Sequence, residues 1–266
     1  MSPELSLHQR RRAPTAHELA GIPWLARLQP AERDRAVAAV MVGDANPGDY
    51  VCRVGRPVTY WFGVVEGLLK MNTDTVDGAS MTLAGLPPGG WFGEGTAVKR
   101  EPYRYNVQVL RKSVVAALPI DTFHWLLDHS IGFNRFVMSQ LNERLGQFIA
   151  VREIDRLINP DLRVARNLAA LFNPVLFPGV GEVLRITQQE LANLVGLSRQ
   201  RVNEALSVLQ AQGAIRIEYG GLRVLDLQAL RGSPFARAAA GGQAPGDGAA
   251  RVPRNPAPGA YLGVAE

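Results

Sequence analysis

Five hydrogen-bonding side chains, Arg199, Gln200, Arg201, Asn203 and Glu204, fall within six consecutive residues. An arginine fork pairs with guanine O6 and N7, and a Gln or Asn amide pairs with adenine N6 and N7. Arg199, Gln200 and Asn203 therefore have the chemistry to read base edges. Arg201 suits a phosphate oxygen, as does Thr187, through its hydroxyl or through a helix N-terminus that it caps. Catalysis finds less material, because no His, Ser or Cys nucleophile stands in a constellation with a base, and the expected protein is not an enzyme. No metal is expected either. The four histidines, His8, His17, His124 and His129, lack ligand spacing, and the single cysteine, Cys52, cannot build a four-thiolate zinc site or an iron–sulfur cluster. Haem is likewise unsupported.

The residues around these side chains predict the elements that hold them. Thr187 followed three positions later by Glu190 is a capping box, so a helix starts there, with Leu191, Leu194 and Val195 as its apolar face. Gly196 ends it. Ser198 suits the N-cap of a second helix whose Val202, Ala205, Leu206 and Leu209 turn inward, which turns the polar set outward. Small Ala192 lets the two helices approach, and Gly196 permits the sharp turn between them. Beyond Gly213 the sequence alternates apolar and polar around Gly220-Gly221, which predicts a two-residue hairpin. Any amphipathic helix pair shares part of this pattern; the capping box, small residue, turn, inward valine and wing in succession predict a winged helix-turn-helix on double-stranded DNA.

Between Pro47 and Leu118 short apolar runs alternate with turn signals, the pattern of an all-β sandwich or roll, with Asp77-Gly78 suited to a tight hairpin. After Pro119 no proline occurs until Pro160. Ile131, Met138 and Leu145 recur every seven residues, and Leu141 and Phe148 follow three positions after the last two. Such a seam belongs to a helix that pairs with a second copy or packs on its own β-domain. The ends differ in kind. Residues 1–20, with Arg10, Arg11 and Arg12 between prolines, read as a flexible arm that is either solvated or touches phosphate, and residues 232–266, rich in Gly, Ala and Pro, read as a disordered tail.

At 266 residues and 47% hydrophobic, the chain suits two domains with a core each. Its net charge of +5 fits a polyanionic partner without demonstrating one. No run approaches the roughly 18 apolar residues of a membrane span, so a cytoplasmic protein without a membrane partner is expected.

The segment TQQELANLVGLSRQRV, together with PGD, VEG and GWFGEG in order upstream, resembles the Crp/Fnr superfamily over roughly Gly21 to Leu230. The resemblance implies an α+β chain: a double-stranded β-helix, or jelly roll, as effector domain (21–128), a dimerisation helix (129–158) and a winged helix-turn-helix (159–231). It implies a homodimer joined through Ile131, Met138, Leu141, Leu145 and Phe148. RNA polymerase is a further partner where such a protein activates. It also implies an effector cassette in which Gly93-Glu94 meets a ribose hydroxyl and Arg104 a cyclic phosphate, a sensible pairing for a guanidinium fork. Tyr105 stands where cyclic-AMP-responsive members have a phosphate-binding serine. Phe148 and Ile149 replace the Thr-Ser pair that reads adenine, and neither can hydrogen-bond through its side chain. The cassette thus takes a cyclic nucleotide, takes another ligand, or survives as scaffold with Arg104 paired to Glu94 or another carboxylate. A cyclic-nucleotide-binding module controlling a non-transcriptional partner is the rival reading, against which the wing argues.

Overall fold

The computed structural model describes residues 10–74, 80–154 and 158–231. The N-terminal half forms strands β1 (Arg11–Arg12), β2 (Met41–Ala45), β3 (Tyr50–Cys52), β4 (Tyr60–Glu66), β5 (Leu69–Asp74), β6 (Ser80–Leu86), β7 (Trp91–Phe92), β8 (Asn106–Val109) and β9 (Ser113–Pro119). Helices α1 (Ala16–Ala20) and α2 (Pro30–Ala39) precede β2, and α3 (Glu94–Lys99) follows β7. All pairings are antiparallel, in one sheet of order β1-β2-β9-β4-β7 and another of order β3-β8-β5-β6. Alternation along the strands sends Val42, Phe62 and Leu118 from the first sheet and Val51, Met71 and Val107 from the second into one core. The Asp77-Gly78 turn lies outside the described residues; the strands on either side of it pair as far as Asp74 and Ser80.

Three tryptophans anchor this core. Trp24, Trp61 and Trp91 are almost wholly buried, with ring centroids 4.4 Å apart for Trp61–Trp91 and 5.3 Å for Trp24–Trp91. Gly63 is required beneath them, because a Cβ there would lie 2.3 Å from the Trp91 indole. Phe133 closes the cluster at 5.3 Å from Trp24, which pins the start of the long helix to the roll.

Residues 10–20 depart from the expected flexible arm. Arg11 and Arg12 pair with Gly43 and Val42 of β2, respectively, and a Thr15 capping box opens α1. The three arginines expected to be free are engaged: Arg10 with Asp49, Arg11 over the Tyr60 ring at 4.1 Å, and Arg12 with buried Glu18 at 2.5 Å. The Arg12 hydrogen bond holds the Glu18 carboxyl down at about 2. Local composition reads as solvated because two of the partners, Asp49 in the turn after β2 and Tyr60 of β4, lie far along the chain, while the third, Glu18, is supplied by α1 within the segment itself.

The helical half contains α4 (Ile120–His129), α5 (Ile131–Ile154), α6 (Pro160–Ala170), α7 (Gln188–Val195) and α8 (Arg199–Ala211), with strands β10 (Val183–Leu184), β11 (Ile215–Glu218) and β12 (Gly221–Val224) in the order β10-β12-β11. The long helix starts at Ile131, after a break at Ser130 whose hydroxyl donates to Glu32 at 2.6 Å. α5 is apolar on two sides. Phe133 and Val137 are buried against the roll, while Ile131, Met138, Leu145 and Ile149 are 57–72% exposed and Leu141 is half-exposed. Phe148, counted in the heptad seam, packs against the roll core instead. The wing turn is Tyr219-Gly220 and not Gly220-Gly221, since Glu218 pairs with Gly221 and Gly220 takes the positive φ of 74°. Residues 232–266, expected as a tail, lie outside the described set.

Candidate nucleic-acid interface and effector cassette

The capping box at α7 forms as its spacing predicts. Thr187 Oγ1 accepts from the Glu190 amide at 3.1 Å, and the Glu190 carboxylate accepts from the Thr187 amide at 2.7 Å. Gly196 ends α7 in the left-handed region at φ 69°, and Ser198 Oγ then accepts from the Arg201 amide at 3.2 Å to start α8. Val202, Ala205, Leu206 and Leu209 are buried, as are Leu191, Ala192, Leu194 and Val195 opposite them. With this inner face consumed, the outer face of α8 is fixed toward solvent.

Arg199, Gln200 and Asn203 are exposed on the first two turns of α8. They are not equally free. Asn203 Oδ1 accepts from Gln188 Nε2 of α7 at 2.8 Å, and Gln200 Nε2 donates to Glu204 at 3.3 Å. Arg201 is half-buried and bridged to Asp161 of α6 at 2.6 Å and to Glu204 at 2.9 Å, so its charge is already compensated inside the protein. Arg199 has no ion pair among the described residues, which leaves it the least encumbered of the three. Thr187 and Ser198 are exposed beside this face, each with its hydroxyl engaged in a cap.

At the roll the expected set divides. Gly93 sits in the left-handed region at φ 84° and opens α3, and Glu94 behind it is buried. Arg104 does not face Glu94: its side chain is 77% exposed and bridges to Glu101 at 2.9 Å. The guanidinium at Glu94 comes from Arg144, 50 residues away on α5, whose Nε donates to Glu94 Oε1 at 3.3 Å and whose Nη2 donates to the Trp91 carbonyl at 2.8 Å. Arg144 also donates to Gln147 at 3.1 Å and lies 5.9 Å from the Phe177 ring centroid. Tyr105 turns inward, its hydroxyl so near Gly93 that a Cβ there would meet it at 3.1 Å, and burial pushes its pKa up. Burial likewise pushes up the Cys52 thiol.

Arg144 stands outside every motif that the sequence singles out. Its signal is the spacing Phe133, Val137, Gln140, Arg144, a second seven-residue stripe on α5 that begins apolar and ends in two buried polar groups. Gln140, also buried, donates to the Val175 carbonyl at 2.6 Å. Among the described residues no group of His, Cys, Asp and Glu could hold a metal ion, and no helix is long and apolar enough to cross a membrane.

Comparison with known proteins agrees with both halves. Residues 44–130 match the cyclic nucleotide-binding domain family, and residues 162–232 match the Crp-like helix-turn-helix domain family. The transcriptional regulator SdrP of Thermus thermophilus is 30% identical over 175 residues, covering 64% of this chain and 81% of its own. A CRP-like cAMP-activated global transcriptional regulator of Mycobacterium tuberculosis is 26% identical, covering 70% of this chain and 85% of its own. The structure of FixK2 from Bradyrhizobium japonicum superposes with a TM-score of 0.58 at 16% identity, over 72% of this chain and 96% of that one, a likeness of fold. With both of its domains matched and SdrP covered over four-fifths of its length, the chain belongs to the Crp/Fnr superfamily of DNA-binding transcription regulators.

Proposed function

We propose that this regulator works as a cytoplasmic homodimer on an inverted-repeat operator, with Arg199, Gln200 and Asn203 reading base edges and Thr187 and Ser198 lying against the phosphate backbone. One observation carries the reading of bases: these three side chains are exposed on the first two turns of α8 while the opposite face of the helix is wholly buried. A helix of this kind docks in the major groove by its N-terminal end, and two-fold symmetry then spaces the half-sites by about one helical turn, roughly 34 Å. The half-site contains a G for Arg199 and an A for Gln200 or Asn203. Dimerisation is supported by the exposed Ile131, Met138, Leu141 and Leu145 stripe, an apolar row that a lone chain would leave in water. Where the protein activates, RNA polymerase is its further partner. Selection from a randomised duplex library tests this directly: an inverted repeat is expected, and enrichment of no symmetric sequence would overturn it.

The effector reading follows from the fit of the cassette. A cyclic nucleotide presents a ribose hydroxyl, a phosphate and a base. Glu94 Oε2 is buried without a hydrogen-bond partner among the described residues and suits the hydroxyl. The phosphate finds Arg104 turned outward to Glu101 and Tyr105 in place of serine, and the base meets Phe148 and Ile149, which offer it no hydrogen bond. The residues present therefore suit a sugar-like hydroxyl and do not suit adenine. The Mycobacterium relative is named for activation by cAMP; this chain is expected to respond to a different effector through the roll, or to none. Calorimetric titration with cyclic AMP decides it, and sub-micromolar binding that also tightens DNA binding would overturn the reading.

A further inference from the structure

A cleft of about 460 Å³ lies where the turn between β8 and β9 meets the segment leading into α7, and it brings together Arg111 and Lys112 of the roll with Arg185 of the DNA-binding domain. Arg111 is the fastener. Its Nη2 donates to the Arg185 carbonyl at 2.5 Å, and its Nε lies 2.9 Å from Glu190, the carboxylate of the α7 capping box. A hydrogen bond from Thr82 of β6 to the Asn193 carbonyl, at 3.0 Å, holds the same helix to the roll from its other end. The β8–β9 turn is thereby fixed beside the N-terminus of α7.

This arrangement leaves two cations over. Lys112 and Arg185 are exposed, line the one cleft, and have no ion pair among the described residues; Glu66, on the same cleft, offsets one of the two charges. Arg185 precedes Thr187 by two residues, so the pair continues the surface of α7 and α8 directly onto the roll. The positive end of the α7 dipole adds to the same field. A charged patch continuous with a nucleic-acid surface, and matched in sign to a phosphate backbone, fits the duplex that runs on past the half-site.

We infer that the Arg111–Lys112 turn of the roll, with Arg185, is a second DNA contact, which takes backbone phosphates flanking each half-site. It rests on the proposed docking of α8. Its consequence is that the effector domain touches DNA itself, so a shift of the roll alters affinity without passing through α5.

The test uses the full chain and the inverted repeat selected from the random library, in two duplexes: one ending at the repeat and one extended by about one helical turn, ~10 bp, on each side. Fluorescence anisotropy at several salt concentrations gives the dissociation constants. Wild type is expected to bind the longer duplex at least about fivefold tighter, and Lys112→Glu to remove that advantage while leaving the short duplex within about twofold. For a dimer with one lost phosphate contact per protomer, the salt slope on the long duplex falls by about 2. Lys112→Arg, which keeps the charge, is expected to restore the advantage. Equal loss on both duplexes, or no length advantage in wild type, overturns the inference and leaves the docking of α8 standing. Failure of wild type to discriminate the short duplex from a scrambled one overturns that docking instead.

Discussion

The outer face of α8 and the cassette around Glu94 both concentrate charge, and they dispose of it in opposite ways. On α8 the polar groups stand in water: Arg199, Gln200 and Asn203 are exposed, and their intramolecular partners are single hydrogen bonds that a base edge can replace. At the cassette the polar groups are desolvated, with Glu94 and Arg144 both under 10% exposed and the guanidinium spread over Glu94, the Trp91 carbonyl and Gln147. A surface set costs little to keep ready for a macromolecular partner. A buried pair is costly to break, because each charge depends on the other for what water no longer supplies. The buried pair is therefore a joint between roll and α5.

The largest expected effect tests the joint. Arg144→Met leaves the Glu94 carboxylate buried without its guanidinium and should cost about 3 to 5 kcal/mol of folding stability in urea titration. Adding Glu94→Gln to it should recover a large part of the loss, since the stranded charge is then gone. A cost under about 1 kcal/mol for the single variant would mean that the pair joins nothing.

Next in size is the opposite face of α5. Leu145→Asp places a carboxylate in the proposed seam, and a loss of about 2 to 4 kcal/mol of association should shift sedimentation from dimer to monomer at micromolar concentration. Folding of the monomer should change little, because Leu145 is 60% exposed in the single chain. A dimer that persists would place the interface elsewhere.

How far these regions were legible follows from the distance over which their partners lie. The helix-turn-helix is written in short spacings: Thr187 to Glu190, Ser198 to Arg201 and Gly196 between them satisfy one another within a turn of helix, so position in the chain determines position in space. Cassette partners lie 50 residues apart, and nothing near Glu94 announces Arg144. Arg104 is near in sequence and is the arginine to which the family resemblance points, yet Glu101 three residues before it captures its guanidinium at the surface. The N-terminal segment departs from an arm for a related reason: Arg10 and Arg11 find Asp49 and Tyr60 only once the strands assemble, while Arg12 meets Glu18 six residues on, in a helix whose burial depends on that assembly. On α5 the seven-residue repeat was read correctly as apolar, but one period cannot say which of two stripes faces the protein's own roll; Phe148 belongs to the roll side and Ile149 to the exposed side.

A middling effect belongs to base reading. Arg199→Ala should lose about 1 to 3 kcal/mol on the selected operator and relax preference at one position of each half-site, measured by repeating the library selection with the variant. An unchanged selected sequence would remove Arg199 from the base edges and with it the contrast between a surface that reads and a joint that holds.

The smallest effect sharpens the contrast, because it concerns a residue of α8, the helix proposed to face DNA, that behaves like those of the cassette. Arg201 would serve as a phosphate contact by type and position, but it is bridged to Asp161 and Glu204, so meeting a phosphate requires giving up at least one carboxylate. Exchanging one anion for another gains little, and Arg201→Ala should weaken DNA binding by under about 1 kcal/mol, alike on all sequences, with a salt slope reduced by less than the full unit expected of a free cation. Its cost should appear in stability instead. Asp161 loses its partner between α6 and α8, which loosens the packing of the recognition helix on the rest of its domain. Asp161→Ala then separates the two roles: freeing Arg201 from one carboxylate should strengthen nonspecific DNA binding and steepen its salt dependence while lowering the thermal midpoint. If Asp161→Ala weakens DNA binding as well, the bridge orients α8 for docking, and Arg201 belongs with Arg144 as a residue that holds rather than reads.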